Sequence, residues 1–531
     1  MSSLLALLRS EGLLLDKAMF ALVQDFQDDS LATSFISSLA RFTGQKWLRV
    51  ELFTLHPTFL SSFLGGLSES QRERARAVFL AHRLSLVAPQ VLVSTLPTPS
   101  KHVPALTYSI FYHPTKIDKK LEVADFVGHF RSRYQQLQRI LMQRADLHNL
   151  IAFNKLGSER QQVSVIGIVS SKRMSKNGNL IATLEDLTGK MSVVFRLDKE
   201  DMAKKAGELQ LDDVIAVKGS GNRDMIFAQE LYWPDAFISE KVHFDQDISI
   251  AFISDTHCGS KLHLGKSLNT FIDWLNSDDE QARKVRFLFI PGDTVDGVGV
   301  FPGQEFVLQE KQLHEQYALL ASYLKRVPKH ITMFLCPGQH DASRVAEPQP
   351  PPHKHYAAPL YELDNLVLVT NPTLVTLHEG LKEFKVLMYH GASIHSFISE
   401  IPELRLGKAH RTPAKAVKHM LKRRHLAPTH SEVTYIPHVD QDPLVIGQVP
   451  DILCTGEVHR LDIETYNGVL IITGSCWQGQ TPFEEKVGNI PDPCKVPLVN
   501  LKTRELKIFD FGDPEELARI GGTRVGGEHA E

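Results

Sequence analysis

The sequence predicts a multidomain α+β protein with a helical N-terminal domain, a small β-barrel and a larger, two-layered αβ domain. Three observations support this fold class: a leucine-rich helical rhythm at the start of the chain, five short strand-like runs after Gln162, and apolar runs ending in polar residues after Asp247. A chain of 531 residues is several times the ~100 to 200 residues of one domain, so we expect more than one core.

Composition and charge exclude some classes of protein. With 43% hydrophobic and 23% charged residues, the chain has a globular composition rather than a disordered or collagen-like one. The formal net charge of -3 means that any contact with nucleic acid depends on a local basic surface. The five cysteines never form a CxxC pair and no run reaches the ~18 apolar residues of a membrane span, so we expect a reduced, cytoplasmic protein.

The N-terminal part is predicted in three segments. Residues 1–85 should form the helical domain, because leucines recur at helical spacing and the stretch from Ser68 repeats that style. Residues 86–120 contain five prolines, which break helices, and are predicted to be a linker. Residues 121–160 should contain a connecting helix that begins after Asp125 as its N-cap.

Residues 161–240 are predicted to form an OB-type barrel. Five short strand-like runs, with KNGN and LTGK as turns, are accompanied by one short helix near Asp201. OB barrels bind single-stranded nucleic acid, but they also serve as protein-docking modules. Few basic residues lie near these strands, so both roles stay open.

Residues 246–515 are predicted to form the αβ domain, followed by a flexible tail at 516–531. Five apolar strands, within ISIAFISDTH, VRFLFIPGDTVDG, ITMFLCPGQHD, FKVLMYHG and DILCTGEVH, end in residues that bind metals. The carboxyl ends of such strands share one edge, which would collect Asp255, His257, Asp293, Gln339, His340, Asp341, His390, Glu457 and His459.

Each of these residues has an ordinary structural explanation when it is taken singly. Asp255 and His257 could form a turn, Asp293 could cap a helix, and His390 could be a hydrogen-bonded core histidine. Burying many carboxylates and imidazoles together, however, is costly unless a cation compensates their charge. The combination therefore predicts a site for two divalent cations, with Mn²⁺ first and Mg²⁺, Fe or Zn as alternatives.

The motif order DxH, GDxxDG, GxHD, H and GxxH resembles the calcineurin-like metallophosphoesterases over about residues 246–510. Longer stretches resemble the small subunit of the archaeal family D DNA polymerase: GDTVDGVGVFPGQE, CPGQHDASRVAEPQPP, MLKRRHLAP, VPDILCTGEVH and GSCWQGQTPFEEKV. The resemblance implies a 3'-5' exonuclease that proofreads in DNA replication, acts on the primer 3' end and is associated with the nucleoid. It also implies a heterodimer with a large subunit that carries the polymerization site.

The resemblance also implies roles for individual residues. Asp255, His257 and His459 would bind one metal, Asp293 would bridge, and Gln339, His390 and Glu457 would occupy the positions of the second metal. His340 would be the catalytic residue, oriented by Asp341. Two cations suit phosphodiester hydrolysis because they stabilise charge on the entering and leaving oxygens together.

Two positions depart from the family pattern, and both belong to the second metal. The family has GNHD where this chain has GQHD, and GHxH where it has GEVH. Glu457 can ligate as an anionic oxygen donor, so the pair is either a compensated variant with shifted metal preference or a weakened site. The alternative function is a catalytically reduced scaffold that stabilises the large subunit, and a protein or small-molecule phosphatase is a third possibility.

A basic helical stretch from Ala414 to Pro428 is the candidate DNA-binding surface. Lys422, Arg423 and Arg424 could follow a phosphate backbone, or they could lie on a solvated helix face. The pattern by itself does not separate these alternatives.

Overall fold

The computed structural model describes residues 2–43, 46–48, 60, 63–64, 67–82, 94–95, 105–111, 115 and 120–519. The chain divides into two compact units, Met1–Leu92 and Val93–Glu531. Across the described ranges, no helix has the length and apolar character that crossing a bilayer requires.

The first unit is helical, as its leucine rhythm predicts. Its described elements are α1 (Ser2–Glu11), β1 (Leu14–Leu15), α2 (Lys17–Asp25), α3 (Asp29–Thr43), β2 (Trp47–Leu48) and α4 (Glu69–Ala81). The rings of Phe26, Phe35 and Phe79 pack together at its centre, with Phe26 edge-on to both of the others. Edge-to-face contacts of this kind add to the hydrophobic gain from burying the rings.

The second unit begins inside the segment predicted to be a linker. Strand β3 (Ser94–Thr95) pairs with β4 (Leu106–Phe111), and β4 in turn pairs with Thr373–Glu379 of a large sheet. Leu106, Tyr108 and Ile110 alternate into the core, so the period of two in LTYSIF outweighs the flanking prolines. The linker prediction is therefore wrong for these residues, and most of the remainder of 86–120 lies outside the described ranges.

The connecting helix α5 spans Val123–Leu141 and begins after Glu122 rather than after Asp125. The Asp125 carboxylate lies in the first turn and accepts a hydrogen bond from the Glu122 main-chain nitrogen at 2.9 Å. An acidic residue in the first turn complements the partial positive charge of the helix start.

The predicted five strands and one helix of the barrel are confirmed. They are β5 (Gln161–Met174), β6 (Leu180–Glu185), β7 (Lys190–Phe195), α6 (Glu200–Gly207), β8 (Val214–Gly221) and β9 (Ile226–Tyr232). The strands close in the order β5-β6-β7-β9-β8. Closure leaves no free sheet edge in the barrel.

The remaining chain forms two sheets with helices. The strands are β10 (Ser249–Phe252), β11 (Val285–Pro291), β12 (Thr332–Cys336), β13 (Leu366–Leu368), β14 (Thr373–Glu379), β15 (Lys382–Met388), β16 (Ile452–Thr455), β17 (Asp462–Tyr466), β18 (Val469–Thr473), β19 (Lys495–Asn500) and β20 (Leu506–Asp510). The helices are α7 (Gly265–Leu275), α8 (Glu280–Lys284), α9 (Leu313–Leu324), α10 (Lys354–Ala357), α11 (Ile394–Glu400), α12 (Pro402–Leu406), α13 (Ala414–Arg423), α14 (Pro482–Val487) and α15 (Pro514–Arg519). One sheet has the strand order β13-β12-β11-β10-β19-β20, and the other has the order β17-β18-β16-β15-β14-β4-β3.

This domain has four layers rather than the predicted two. On β11, Phe287 and Phe289 face a core shared with Val386 and Met388 of the other sheet, whereas the alternate residues of β11 face α7 and α9. The second sheet likewise buries its other face against α11 and α13. The apolar runs in the sequence reveal strands covered on both faces, but they do not say what covers each face.

The topology explains where the polar strand ends meet. Strands β10, β11 and β12 run parallel in one sheet, and β15, β16 and β18 run parallel in the other. Their carboxyl ends therefore reach one edge of each sheet, and face-to-face packing of the sheets brings residues from both edges together. The five predicted strands are present, divided between the two sheets.

The end of the described chain departs from the predicted flexible tail. Residues up to Arg519 belong to helix α15, and the carboxylate of Glu516 accepts hydrogen bonds from the main-chain nitrogens of Lys266 and Ser267, both at 2.9 Å. These bonds satisfy main-chain donors in the first turn of α7, which have no partner within that helix. Residues 520–531 lie outside the described ranges.

Candidate two-metal site

The turns after the parallel strands hold their polar residues in left-handed backbone. Positive φ angles occur at Asp255 (51°), His257 (43°), Asp293 (48°), Glu457 (76°) and His459 (58°). Each such residue costs about 1–3 kcal/mol and persists only where the surrounding fold enforces it. Strain concentrated at five neighbouring polar positions therefore indicates a functional site.

Glycines let the main chain approach these side chains closely. A Cβ atom on Gly338 would lie 2.1 Å from Oδ1 of Asp293, and one on Gly456 would lie 2.6 Å from Oδ2 of Asp255. Both distances are far shorter than any Cβ contact, so only glycine fits. The carboxylates thus lie directly against the turns that follow β12 and β16.

Six residues from four strand ends form what we call the rim cluster: Asp255, His257, Asp293, His390, Glu457 and His459. Within it, Asp255, His257 and His459 bring their ligand atoms within 4.8 Å of one another, and so do Asp255, Asp293 and His390. Asp255 is common to both groups, so the two groups adjoin, as sites for two neighbouring cations must. Asp293 belongs to the second group, and its bridging role stays a prediction.

The first group contains two imidazoles that face each other. Nε2 of His257 lies 3.0 Å from Nε2 of His459, and Nε2 of His459 lies 3.6 Å from Oδ1 of Asp255. On the opposite sides of the rings, Nδ1 of His257 faces Asp296 at 3.1 Å and Nδ1 of His459 faces Glu484 at 3.0 Å. A carboxylate at Nδ1 favours the proton there in a neutral ring, so the neutral rings would direct both Nε2 lone pairs into the same space.

The second group leaves buried polar atoms without hydrogen bonds. Nε2 of His390 lies 3.2 Å from Asp293 and 3.0 Å from Glu457 but makes no hydrogen bond, while its Nδ1 is 2.8 Å from the Pro291 carbonyl. Oδ2 of Asp255 is also buried without a hydrogen-bond partner. Unsatisfied buried groups of this kind are rare, and together they are the donor set that a cation would satisfy.

The two positions that depart from the family pattern contact each other. With its amide oriented to suit both groups, the Gln339 side chain donates to Oε2 of Glu457 at 2.6 Å and to Oε1 at 3.2 Å. Glu457 also lies 3.5 Å from Nε2 of His395. Gln339 and Glu457 are therefore a matched pair, which favours the compensated variant among the alternatives raised by the sequence.

His340 lies at the rim, but Asp341 does not orient it. Nδ1 of His340 lies 2.6 Å from the main-chain oxygen of Asp296. The Asp341 carboxylate instead accepts hydrogen bonds from the Gly338 nitrogen at 2.9 Å, from Thr294 and from Tyr317. The predicted orienting role of Asp341 is therefore wrong, because its side chain is fixed beneath the turn and holds the turn in shape.

Charge and burial act against each other in the rim cluster. Burial raises the pKa of Asp255 and outweighs the nearby histidines. Burial opposes charge on His390 and His459, yet Asp293 raises the pKa of His390 well above 6.5 and Glu484 raises the pKa of His459 to about 9. Burial also opposes charge on Glu457, but His390 outweighs it and lowers its pKa to about 2. The site thus favours the protonated forms of His390 and His459 and the ionised form of Glu457.

The three basic residues predicted to contact DNA are placed elsewhere. Arg423 is buried and donates to Oδ1 of Asp213 at 2.8 Å, and Lys422 pairs with Glu208. Arg424 is buried and donates to the main-chain oxygens of residues 446 and 447, both at 2.7 Å. The DNA-binding prediction for these residues is wrong, because their charges are used to hold α13 against the barrel and a neighbouring loop.

Two residues of the site were not predicted as functional from the sequence. Asp296 accepts from His257, and Glu484 faces His459 from the start of α14, where it also closes a capping box with Thr481. The only sequence signals are the second aspartate of GDTVDG and the TPFE pattern of a helix start. Both patterns are common in helices and turns, so neither indicates a metal site by itself.

Comparison with known proteins identifies the family. A family model for the B-type subunits of DNA polymerases alpha and epsilon matches residues 250–461, and an OB-fold nucleic acid binding domain matches residues 163–228. The DNA polymerase II small subunit of Methanothermobacter thermautotrophicus is 35% identical over 397 residues, which cover 73% of this chain and 80% of that protein. The chain belongs to the DNA polymerase II small subunit family.

Other members of this family differ in length from the chain. The small subunit of Archaeoglobus fulgidus is 36% identical over 74% of this chain and 78% of its own length, and that of Pyrococcus furiosus is 38% identical over 73% of this chain. The chain spans 64% of the length of the Pyrococcus protein. Among solved structures, the chain is similar to an archaeal phosphodiesterase over 49% of this chain and 99% of that one, with 12% identity and a TM-score of 0.25.

Proposed function

We propose that this chain is the proofreading subunit of a heterodimeric replicative DNA polymerase, with a calcineurin-like phosphoesterase domain that removes 3'-terminal nucleotides from DNA. A separate large subunit would carry the polymerization site. One observation carries the proposal: two imidazoles present their Nε2 atoms to each other 3.0 Å apart, beside a buried carboxylate oxygen without a partner. Such an arrangement is unfavourable unless positive charge lies between the groups.

The residues fit two divalent cations. Asp255, His257 and His459 would hold one, and Asp293, His390 and Glu457 would hold the other, with Gln339 fixing the Glu457 carboxylate. When bound, the cations would supply positive charge to the entering and leaving oxygens of the phosphodiester. The mixture of oxygen and nitrogen donors favours Mn²⁺, and Asp296 and Glu484 keep the imidazoles in the tautomer that binds metal.

His340 is the proposed catalytic residue. The Asp296 carbonyl occupies Nδ1, so Nε2 is the nitrogen from which the ring can donate a proton or a hydrogen bond to the substrate phosphate or the departing sugar oxygen. Burial opposes charge on this ring, but Asp293 and Asp296 outweigh it and raise its pKa above 6.5. A raised pKa favours the protonated ring, and that form suits this donor role.

The proposal is tested by hydrolysis of duplex DNA with a 3'-terminal mismatch in Mn²⁺. We expect His340→Ala to reduce the rate by roughly 10²- to 10⁴-fold, since that is the usual contribution of a positioned acid or base. The matched control is His314→Ala, which removes an exposed histidine of the same domain and should leave the rate unchanged. Equal rates for His340→Ala and the native chain would exclude the catalytic role.

Metal binding, measured together with hydrolysis, separates the enzyme from a scaffold that merely stabilises the large subunit. The native chain should bind two Mn²⁺ ions, measured by calorimetry and elemental analysis. Binding of one ion or none, with hydrolysis only in the double variant Gln339→Asn plus Glu457→His, would support the scaffold instead. Retention of the large subunit on the immobilised chain then tests the heterodimer independently of hydrolysis.

A further inference from the structure

A loop that exposes apolar side chains lies beside His340 and has no role in the proposed metal site. We call residues 297–306, GVGVFPGQEF, the apolar rim loop. Four of its large apolar side chains are well exposed: Val298 (50%), Val300 (41%), Phe301 (43%) and Phe306 (74%). Exposed apolar groups so concentrated in a short segment indicate a binding surface rather than chance exposure.

The base of the loop is fixed to the site. The buried Gln304 side chain donates to the main-chain oxygen of Asp296 at 2.7 Å and accepts from the Val300 nitrogen at 2.9 Å. The buried Gln316 side chain accepts from the Gly297 nitrogen at 2.8 Å and donates to its oxygen at 3.0 Å. Because these bonds hold both ends of the turn, the exposed side chains project from a defined backbone.

The loop also touches the proposed catalytic residue. A Cβ atom on Gly297 would lie 2.5 Å from the main-chain oxygen of His340, so the loop backbone runs directly against that turn. The Phe301 ring centroid lies 6.5 Å from that of the His340 imidazole. Phe301 therefore presents an aromatic surface next to the position where a terminal phosphodiester would be held.

We propose that Phe301 stacks on the unpaired base of the 3'-terminal nucleotide. This inference rests on the proposed function and deepens it, since it names the structural feature that the site would recognise. Aromatic stacking tolerates any base but requires an exposed base face, which a paired end within a duplex does not offer. The loop would therefore favour frayed or mismatched ends over paired ones. A docked protein segment is the alternative occupant, but at Phe301 it would cover the approach to His340.

The test compares the binding of two DNA probes by the full-length native chain and by variants of Phe301. EDTA is present, so that hydrolysis is not needed. The probes are two fluorescently labelled duplexes with an unpaired 3' end, one carrying a base at the last position and one an abasic sugar. We expect the native chain to prefer the base by about 5- to 100-fold, the range that stacking of one base supplies. Phe301→Ala should remove the preference, and Phe301→Trp should keep it.

The matched control is Phe237→Ala, which removes an exposed phenylalanine outside the loop and should leave the preference unchanged. A native chain that binds both probes equally, or a Phe301→Ala variant that keeps the native preference, would overturn the inference. So would a Phe301→Ala variant that loses only its retention of the large subunit. If the preference depends on Phe301 but no Mn²⁺-dependent hydrolysis occurs, the end-binding role stands and the proposed nuclease function fails.

Discussion

Two clusters of buried histidines and carboxylates in the described part of the second unit differ in which imidazole nitrogen faces a carboxylate. In the rim cluster, the Nδ1 atoms of His257 and His459 face carboxylates and their Nε2 atoms converge. The other group, which we call the joint cluster, consists of His129, Arg133, His425 and Asp442.

In the joint cluster every charge has a partner within the chain. Nδ1 of His129 accepts from the main-chain nitrogen of His438 at 3.2 Å, so its Nε2 carries the proton and faces Asp442 at 3.3 Å. His425 accepts in the same way from Ala427 at 3.0 Å and donates to Asp442 at 2.9 Å. Arg133 adds a bond to Asp442 at 2.6 Å. Main-chain donors thus orient these rings inward, toward one carboxylate.

The two clusters also differ in whether the oxygens of their buried carboxylates all have hydrogen-bond partners. The carboxylate of Asp442 accepts hydrogen bonds at both oxygens, whereas Asp255 leaves a buried oxygen without a hydrogen bond. Residue type does not distinguish the clusters, because both combine histidine with aspartate. The clusters are distinguished by the direction of the hydrogen bond at Nδ1. This direction decides whether Nε2 of a neutral ring donates within the protein or points a lone pair at a ligand.

The largest effect is expected from a mutation that disrupts the joint cluster. Asp442→Asn should reduce local stability by about 3–5 kcal/mol, since it leaves the buried Arg133 without its anionic partner. Asp440→Asn, an exposed aspartate two residues away, should change stability by less than about 0.5 kcal/mol. Hydrogen exchange at the amides of α5 measures the difference. A small effect of Asp442→Asn would mean that the cluster does not support the packing of this helix.

The next effect is a dependence of stability on pH, opposite in sign for the two clusters. Burial is the main cause that lowers the pKa of His129 and His425 from 6.5 to about 4, with Arg133 adding to it against the pull of Asp442. Between these values the unfolded chain binds protons that the folded cluster does not. Stability should therefore fall as pH drops from about 6.5 to about 4, by on the order of 3 kcal/mol per histidine.

The rim histidine His459 should behave in the opposite way in EDTA. Its pKa is raised to about 9, so its contribution is fully present below about pH 6.5 and is lost as pH rises through about 9. Unfolding experiments from pH 4 to pH 9.5 on the native chain, His425→Gln and His459→Gln measure both slopes. His425→Gln should reduce the loss of stability at acid pH and leave the loss at alkaline pH unchanged. A smaller alkaline loss in this variant would contradict the assignment of that loss to His459.

A smaller effect concerns the groups behind the metal ligands. Glu484→Gln should weaken Mn²⁺ binding by about 10- to 100-fold, because the residue that faces Nδ1 of His459 loses its charge. Glu485→Gln, an exposed glutamate on the same helix, should bind Mn²⁺ with native affinity. Isothermal titration calorimetry measures both variants. Equal affinities would show that Glu484 serves α14 alone, through its capping box with Thr481.

The smallest effect sharpens the contrast between the clusters. In EDTA, Asp255→Asn should stabilise the folded chain by about 1 kcal/mol, because it removes a buried charge whose Oδ2 atom has no hydrogen-bond partner. In saturating Mn²⁺ the order should reverse, since the native chain gains binding free energy that the variant lacks. Thermal unfolding in both buffers tests this, and destabilisation of the variant in EDTA would place Asp255 with Asp442 as a structural charge.

Local patterns were sufficient to predict most of the architecture. The period of two after Gln162 predicted five strands, and the polar residues after five apolar runs predicted a shared rim. The same reasoning failed where distant contacts decide the outcome. The prolines around Leu106–Phe111 suggested a linker, yet pairing with β14 makes this segment a strand. The number of layers was also wrong, because apolar runs do not identify what packs on them.

The sequence by itself determined which residues could bind cations, because ligand chemistry belongs to the residue type and strand ends belong to the local pattern. Only the tertiary structure decided how each group is used. Lys422, Arg423 and Arg424 have the composition of a DNA-binding surface, but the fold uses them internally. Lys422 and Arg423 pair with carboxylates beside the barrel, and Arg424 donates to main-chain oxygens of a neighbouring loop. Asp341 likewise follows the catalytic candidate in sequence, while its bonds run to the turn beneath. A charged side chain takes its role from the partners that the fold brings within hydrogen-bonding distance, and many of those partners, such as Tyr317 for Asp341 and Asp213 for Arg423, lie far away along the chain.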